Sequence, residues 1–304
     1  MFEHVLVPLD GSAMAEAALP VAVDLARRVG GRITLLHVVE TSAPATIHGQ
    51  PHLQDAEQAG EYLRDLAGSA AASGNVTCRV RPAGDADVPA CVAAEVEDLG
   101  VELVVMARHG SSGLRGVLFG RVAEQVASRA DVPVLLVSAA PPDPKPPVPF
   151  DCRRILIPHE GEPAHNRSLP AGLEFARLFH AAVCLVAVVP TRATLAGAQQ
   201  IAGKLLPGVA DAVLEAQQKE AVRHLQRHVT ESGRSDVEVN ARVLRGDPAR
   251  SIVKAAAEFS ADVIVLSTHG KAGTNAFWSG STAARVCART ESAILLVPAG
   301  KEGL

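Results

Sequence analysis

Aromatic side chains make up only 3% of this 304-residue chain, with a single Trp and a single Tyr. A surface that stacks successive bases on rings is therefore not on offer. Charge of one sign is missing too: 29 Lys and Arg stand against 33 Asp and Glu, a formal net charge of −4, which excludes the basic face that nucleic-acid backbones require. Nucleic acid is not an expected partner. Long apolar runs are also absent. The most apolar stretch, AAVCLVAVV over residues 181–189, falls far short of the roughly 20 residues that cross a bilayer, so no membrane span is expected.

The five cysteines, Cys78, Cys91, Cys152, Cys184 and Cys287, are odd in number and show no Cys-x-x-Cys spacing. That argues against a disulfide framework and a thiolate zinc site, and they read as small buried hydrophobes. The opening MFEHVLVPLD enters a strand-like run without the basic start, apolar stretch and cleavage site of a signal peptide. A cytoplasmic location is the expectation.

What the chain does have is repetition. ARHGSSGLRGVLFGRV (107–122) and STHGKAGTNAFWSGST (267–282) share one frame: His-Gly, two residues, Gly, six residues, Gly. A shift of 160 aligns residues 102–137 with 262–297 without a gap, and 11 of those 36 positions are identical. A shift of 150 aligns VLVPLDG (5–11) with ILIPHEG (155–161), the second copy being longer near residues 191–207. This pattern is that of a duplicated domain. The proline-rich AAPPDPKPPVPF between the copies suits an extended spacer. The expected organisation is one domain over residues 1–138, a linker over 139–150 and a second domain over 151–304.

Within copy one, strands are expected near residues 5–9, 33–39, 76–81, 103–106 and 134–137. Ala18, Val21, Ala22, Leu25 and Val29 recur at helical spacing between the first two, and Leu169, Leu173 and Ala176 do so in copy two. Alternating strands and helices imply an α/β fold, a mostly parallel sheet with helices on both faces and strands that are near-continuous apolar runs. In such sheets ligands lie beyond the carboxyl ends of the strands, where the strand order reverses. Asp10 closes the first strand and the glycine loop leaves the fourth at Met106. Glu160 and the loop after Leu266 hold the same places in copy two. A carboxylate there accepts from a ribose or base, while glycines let backbone N–H groups approach phosphates. Together they suggest a nucleotide.

On these residues, both halves resemble the universal stress protein family, and the whole chain resembles a tandem member. The resemblance rests on Val-Pro-Leu-Asp-Gly-Ser (7–12), Leu-His-Val (36–38), and the frame Gly-x-x-Gly, nine residues, Gly-Ser/Thr of ATP-binding members. Copy two reads Ser267, Gly270, nine residues, Gly280-Ser281; copy one reads Ala107, Gly110, nine residues, Gly120-Arg121. The resemblance implies two tandem doubly wound domains of the adenine-nucleotide alpha-hydrolase type, with strand order 3-2-1-4-5. It also implies pairing of the last strands (133–137 and 293–297) into an intramolecular pseudo-dimer.

It further implies an adenine nucleotide, ATP with or without Mg2+, as the ligand. Asp10 would face the base or ribose, the Val38 backbone the adenine edge, and Pro8 the ribose. Met106, Ala107, Arg108, His109, Gly110 and Gly113 would wrap the ribose and phosphates together with Gly120, Arg121 and Val122. The copy-two equivalents are Pro158, Glu160 and Val188, then Leu266, Ser267, Thr268, His269, Gly270, Lys271 and Gly273, and finally Gly280, Ser281 and Thr282. The departures divide between the copies: Arg121 replaces a hydroxyl residue in copy one, and Glu160 replaces the aspartate in copy two.

Each feature has a plainer reading. Asp10 could cap a helix beginning near Ser12. His109 and His269 read as loop-shaping or phosphate-neighbouring groups in place of catalytic ones, since no nucleophile or acidic partner stands at a fixed spacing. His224 with His228, and His48 with His52, sit four apart and read as solvated helix faces in place of metal ligands. There is no P-loop, kinase signature or nucleophile elbow. The favoured function is a stress or signalling protein whose ATP is a regulatory or structural ligand, hydrolysed slowly or not at all. A nucleotide-free member acting through protein contacts and a slow ATPase or phosphotransferase are the alternatives. A homodimer or another protein is the other partner considered.

Overall fold

A computed structural model of the chain describes residues 1–41, 46–47, 50–53, 55–70, 75–108, 121–139, 150–159, 167–195, 207–232, 236–268 and 281–298. The chain divides into two compact units. Unit 1 comprises Met1–Asp151, Thr268–Trp278 and Ala293–Leu304; unit 2 comprises Cys152–Ser267 and Ser279–Ser292. The final strand of the second sequence copy thus belongs to the first unit.

In unit 1, β1 (His4–Pro8), β2 (Arg32–Val39), β5 (Asn75–Pro82), β6 (Leu103–Arg108) and β7 (Val134–Ser138) form a parallel sheet in the order β5-β2-β1-β6-β7. Counting only these strands, that order is 3-2-1-4-5, as the resemblance implies. The order reverses between β1 and β6. β12 (Ala293–Pro298) adds antiparallel to β7, with Ile294 opposite Leu136, Leu295 opposite Leu135 and Leu296 opposite Val134. The short strands β3 (Thr46–Ile47) and β4 (Gln50–Pro51) pair with each other apart from this sheet.

The central strands are apolar because both faces are covered. Val5, Leu6, Val7, Leu103, Val104, Val105, Leu135 and Leu136 are all fully buried. β5 departs from the expected continuous apolar run: its residues alternate exposed and half-buried, and it carries Arg79 and Arg81. It lies at the sheet edge, where charged side chains block unwanted pairing. Both arginines pair with the buried Glu95 of α4 (Val88–Leu99).

Helix starts follow from local chemistry. Ser12, whose Oγ accepts from Ala15 N, caps the one-turn α1 (Ala13–Glu16). α2 (Leu19–Val29) begins separately with Pro20 in its first turn and buries Val21, Ala22 and Leu25 on the sheet. α3 (Ala56–Ala70) packs on β5, and Asp87 caps α4 through Ala90 N. α5 (Arg121–Arg129) follows, and its Arg129 returns to Asp87.

In unit 2, β8 (Arg154–Pro158), β9 (Ala182–Val189), β10 (Val239–Arg245) and β11 (Val263–Thr268) pair in parallel in the order β10-β9-β8-β11. α6 (Ser168–Phe179) buries Leu169, Phe175 and Ala176. α7 (Pro207–Ser232) is the long helix that packs on β9 and β10. α8 (Pro248–Phe259) is capped by Asp247 through Arg250 N, and α9 (Thr282–Cys287) is capped by Ser281. Asp247 also holds Arg285 of α9 at 2.5 Å, the counterpart of the Asp87–Arg129 tie in unit 1.

All five cysteines carry free thiols, Cys91, Cys152, Cys184 and Cys287 being buried and Cys78 half-buried. Among the described residues no helix is long and apolar enough to cross a membrane.

Candidate functional site

Three strand ends in unit 1 converge on a cavity of ≈ 380 Å³. β1 delivers Pro8, Leu9 and Asp10, β2 delivers Leu36, His37 and Val38, and β6 delivers Met106 and Ala107. The start of α5 adds Val122 and Ala123, and α4 adds Val88 and Val92. The position is the one that the topology singles out, at the carboxyl ends of strands flanking the order reversal. A volume in this range suits a small organic molecule, for which pockets run roughly 300–1,000 Å³.

The turn after β1 explains how Asp10 is aimed. Gly11 sits at φ +88°, a left-handed conformation that other residues rarely adopt, and a Cβ there would come within 3.0 Å of the Leu53 side chain. The chain therefore reverses tightly. Asp10 Oδ1 accepts from Ser12 N at 2.9 Å and from Ser12 Oγ at 2.6 Å. Asp10 braces the start of α1, although Ser12 is the capping residue, and it also lines the cavity.

Of the residues anticipated in copy one, Pro8, Asp10, Val38, Met106, Ala107 and Val122 are brought together around this space. Arg108 is buried at the end of β6 and is not part of the lining. Arg121 opens α5. His109, Gly110, Gly113 and Gly120, on which the expected phosphate wrap depends, lie outside the described residues. In copy two, Pro158 ends β8, Val188 lies in β9, and Leu266, Ser267 and Thr268 end β11. Ser281 precedes α9 and accepts from Ala284 N at 3.1 Å, while Thr282 is its first residue. Glu160, His269, Gly270, Lys271, Gly273 and Gly280 lie outside the described residues.

Sequence reasoning missed part of the wall. His37, Glu40, Ile47 and His52 all border the cavity. His37 Nδ1 bonds to the Leu9 carbonyl at 2.8 Å, and burial pushes this imidazole below its usual pKa. The signal for His37 was Leu-His-Val itself, a histidine at the end of a buried strand. His52 corrects an expectation: it stands on no helix and is not solvated, but follows β4 and is buried, its Nε2 3.9 Å from Glu40. His48 lies outside the described residues. His224 and His228 do lie on α7, next to Glu220 and Glu231 respectively.

A doubly wound parallel sheet with a cavity at its order reversal defines a class of α/β protein. The family model described as "Universal stress protein family" matches residues 1–138 and 152–298, and the chain belongs to that family. It is 29% identical over 148 residues to the universal stress protein YxiE of Bacillus subtilis, covering 45% of this chain and 99% of YxiE. Among solved structures, a universal stress protein from Archaeoglobus fulgidus superposes with a TM-score of 0.67 at 18% identity, covering 99% of this chain and 97% of that one. A putative universal stress protein from Pseudomonas aeruginosa gives 0.68 at 18% identity, covering 98% and 93%. At such identity these structures speak to the fold alone.

Proposed function

We propose that this protein binds an adenine nucleotide, ATP, as a regulatory or structural ligand in a cytoplasmic stress or signalling response, and turns it over slowly or not at all. The observation that carries this reading is the cavity at the ends of β1, β2 and β6, which Asp10 and Val38 line together with the apolar Leu36, Val92 and Met106. A flat, weakly polar base suits such an apolar lining. Asp10 supplies an acceptor for a ribose hydroxyl or base N–H, and the end of β2 supplies backbone groups for the adenine edge. ATP would be held with its base and sugar here and its phosphates toward the glycine frames, with Mg2+ as companion ion. The domains are proposed to span residues 1–138 and 151–304, joined by the proline-rich linker.

Mass spectrometry of small molecules released from the denatured, purified protein, together with calorimetric titration of the stripped protein with ATP, tests the reading. Absence of bound nucleotide combined with no heat of binding at millimolar ATP would overturn it.

A further inference from the structure

The side chains of the described cavity wall are short of hydrogen-bond donors. The polar ones are Asp10, Ser12, His37, Glu40 and His52, and no Lys or Arg stands among the described lining residues. Ser12 Oγ gives its proton to Asp10 Oδ1 and accepts from Ala15 N. His37 Nδ1 lies 2.8 Å from the Leu9 carbonyl, which can only accept, so a neutral ring carries its proton there and its Nε2 is an acceptor. His52 turns Nε2 toward Glu40 Oε1 at 3.9 Å, and the facing carboxylate places the neutral ring's proton on that side. These side chains therefore offer a ligand acceptors and negative charge.

Such a wall selects one end of a nucleotide. Two carboxylates with no cation beside them in the described lining repel phosphates and attract N–H and O–H groups. Base and sugar belong here, and the phosphates point away.

The two carboxylates are not equivalent. Asp10 Oδ1 already accepts twice, from Ser12 N at 2.9 Å and from Ser12 Oγ at 2.6 Å, and the turn at Gly11 fixes its aim. Glu40 makes no hydrogen bond with any described residue, since His52 Nε2 at 3.9 Å is beyond reach. Its side chain is 41% exposed, so a ligand donor has only water to displace. Glu40 follows β2 directly and lines the same cavity as Val38, two residues earlier, where the proposed function puts the adenine edge. That edge carries one group with donors, the exocyclic amine, which has two N–H bonds. A backbone carbonyl at the end of β2 can take one of them and leaves the other for a side chain.

We propose that Glu40 is a specificity-determining residue of this cavity: its carboxylate accepts a hydrogen bond from the exocyclic amine of the base and so selects adenine nucleotides over purines that lack a donor there. This role rests on the nucleotide reading, and its test separates the two. Repulsion between Glu40 and a triphosphate acts alike on every nucleoside triphosphate, so the contact shows only in a ratio of affinities. Copy two supplies an internal comparison. The alignment of residues 34–39 with 184–189 puts Pro190 opposite Glu40, and proline has no side-chain acceptor. Discrimination through this contact belongs to copy one alone.

ATP and purine riboside triphosphate, which differs from ATP only in lacking the amine, are titrated calorimetrically into the full, stripped chain. Ligand-induced protection from hydrogen–deuterium exchange in peptides covering residues 32–40 and 182–190 assigns each binding event to its copy. At copy one the ratio of the two affinities should fall by about threefold to tenfold in Glu40→Ala, the range for one hydrogen bond to a half-exposed acceptor. Glu40→Gln keeps an acceptor oxygen and should retain most of the ratio. Affinity for purine riboside triphosphate should not fall in either variant, and the ratio at copy two should not move. An unchanged ratio in Glu40→Ala, with ATP still bound, overturns the role of Glu40 and leaves the nucleotide reading standing. Equal loss of both affinities in that variant overturns it as well, because it marks a structural effect. No binding of either ligand to wild type overturns both readings.

Discussion

Leu135 and Leu295 occupy equivalent places in the two sequence copies, 160 residues apart, and they are register partners in adjacent antiparallel strands. Their neighbours pair crosswise, Val134 with Leu296 and Leu136 with Ile294. This is the self-complementary pattern by which like patches meet like. All of these residues are buried, so an apolar strand that would otherwise be an exposed edge is covered. Leu135→Ala and Leu295→Ala should each cost about 2–5 kcal/mol. Because the two positions are neighbours, the double variant should cost less than the sum of the singles. Urea unfolding of the three variants checks this; strict additivity would mean that the two side chains do not share one packed site.

The second prediction separates the two uses of Asp10. Asp10→Ala should weaken ATP binding by about 1.5–3 kcal/mol if the carboxylate meets the ligand. The same change removes the brace on Ser12, so a control is required. Ser12→Ala deletes the cap on α1, costing about 0.5–2 kcal/mol of stability, while leaving the Asp10 carboxylate in place. Titration calorimetry on both variants decides. Equal loss of affinity in the two would show that Asp10 acts only through the turn.

The sheet was legible in the sequence because its signals are redundant. An apolar run such as VLVPL over residues 5–9 fits best between two covered faces, and the duplication supplied each element twice. The edge strand β5 was legible as a strand, but its exposure was not, since Val76, Cys78 and Val80 give the apolar face while Arg79 and Arg81 are explained only by their pairing with Glu95. Of the cavity-lining residues, Asp10 could be named because strand ends are where such folds place ligands, and Val38 because of the family resemblance carried by Leu-His-Val. His52 could not. β3 and β4 are two residues each, too short to show any period, and the burial of His52 accompanies the seating of Leu53 over Gly11, a contact no spacing rule announces.

The third prediction concerns acid stability. Arg129 holds the Asp87 carboxyl below its usual range, and Arg285 does the same for Asp247. A carboxyl depressed in the folded state contributes stability that is present above its unfolded value and is lost as pH falls through the folded one. The loss should therefore begin near pH 4 and continue below it, about 0.2–1 kcal/mol for each largely solvent-screened pair. Thermal unfolding from pH 6 down to pH 3 should fall less steeply for Asp87→Asn and Asp247→Asn than for wild type. Identical slopes would show that these ties do not link folding to pH.

The last prediction concerns inequality between the copies. Ser281 caps α9 by accepting from Ala284 N, which leaves its own hydroxyl proton for an incoming phosphate oxygen. The equivalent place in copy one is Arg121, which can clamp a phosphate or fill its space, and only the first outcome helps binding. Against this, copy two carries Glu160 in place of the aspartate at its base end. A longer carboxylate can still reach a ribose, whereas a lost hydrogen bond to a charged phosphate costs about 1.5–3 kcal/mol. Copy two should therefore hold triphosphate more tightly. Ser281→Arg is expected to lower ATP affinity by roughly tenfold to a hundredfold. Arg121→Ser should raise the affinity of the weaker site toward that of the stronger. Ser281→Thr keeps both cap and hydroxyl and should leave binding near wild type, whereas Ser281→Asp keeps a capping acceptor without the donor, which separates loss of the cap from loss of the hydroxyl proton. Unchanged ATP affinity in Ser281→Arg, or a complex with only copy one occupied, would reverse the assignment and make Arg121 the better phosphate anchor.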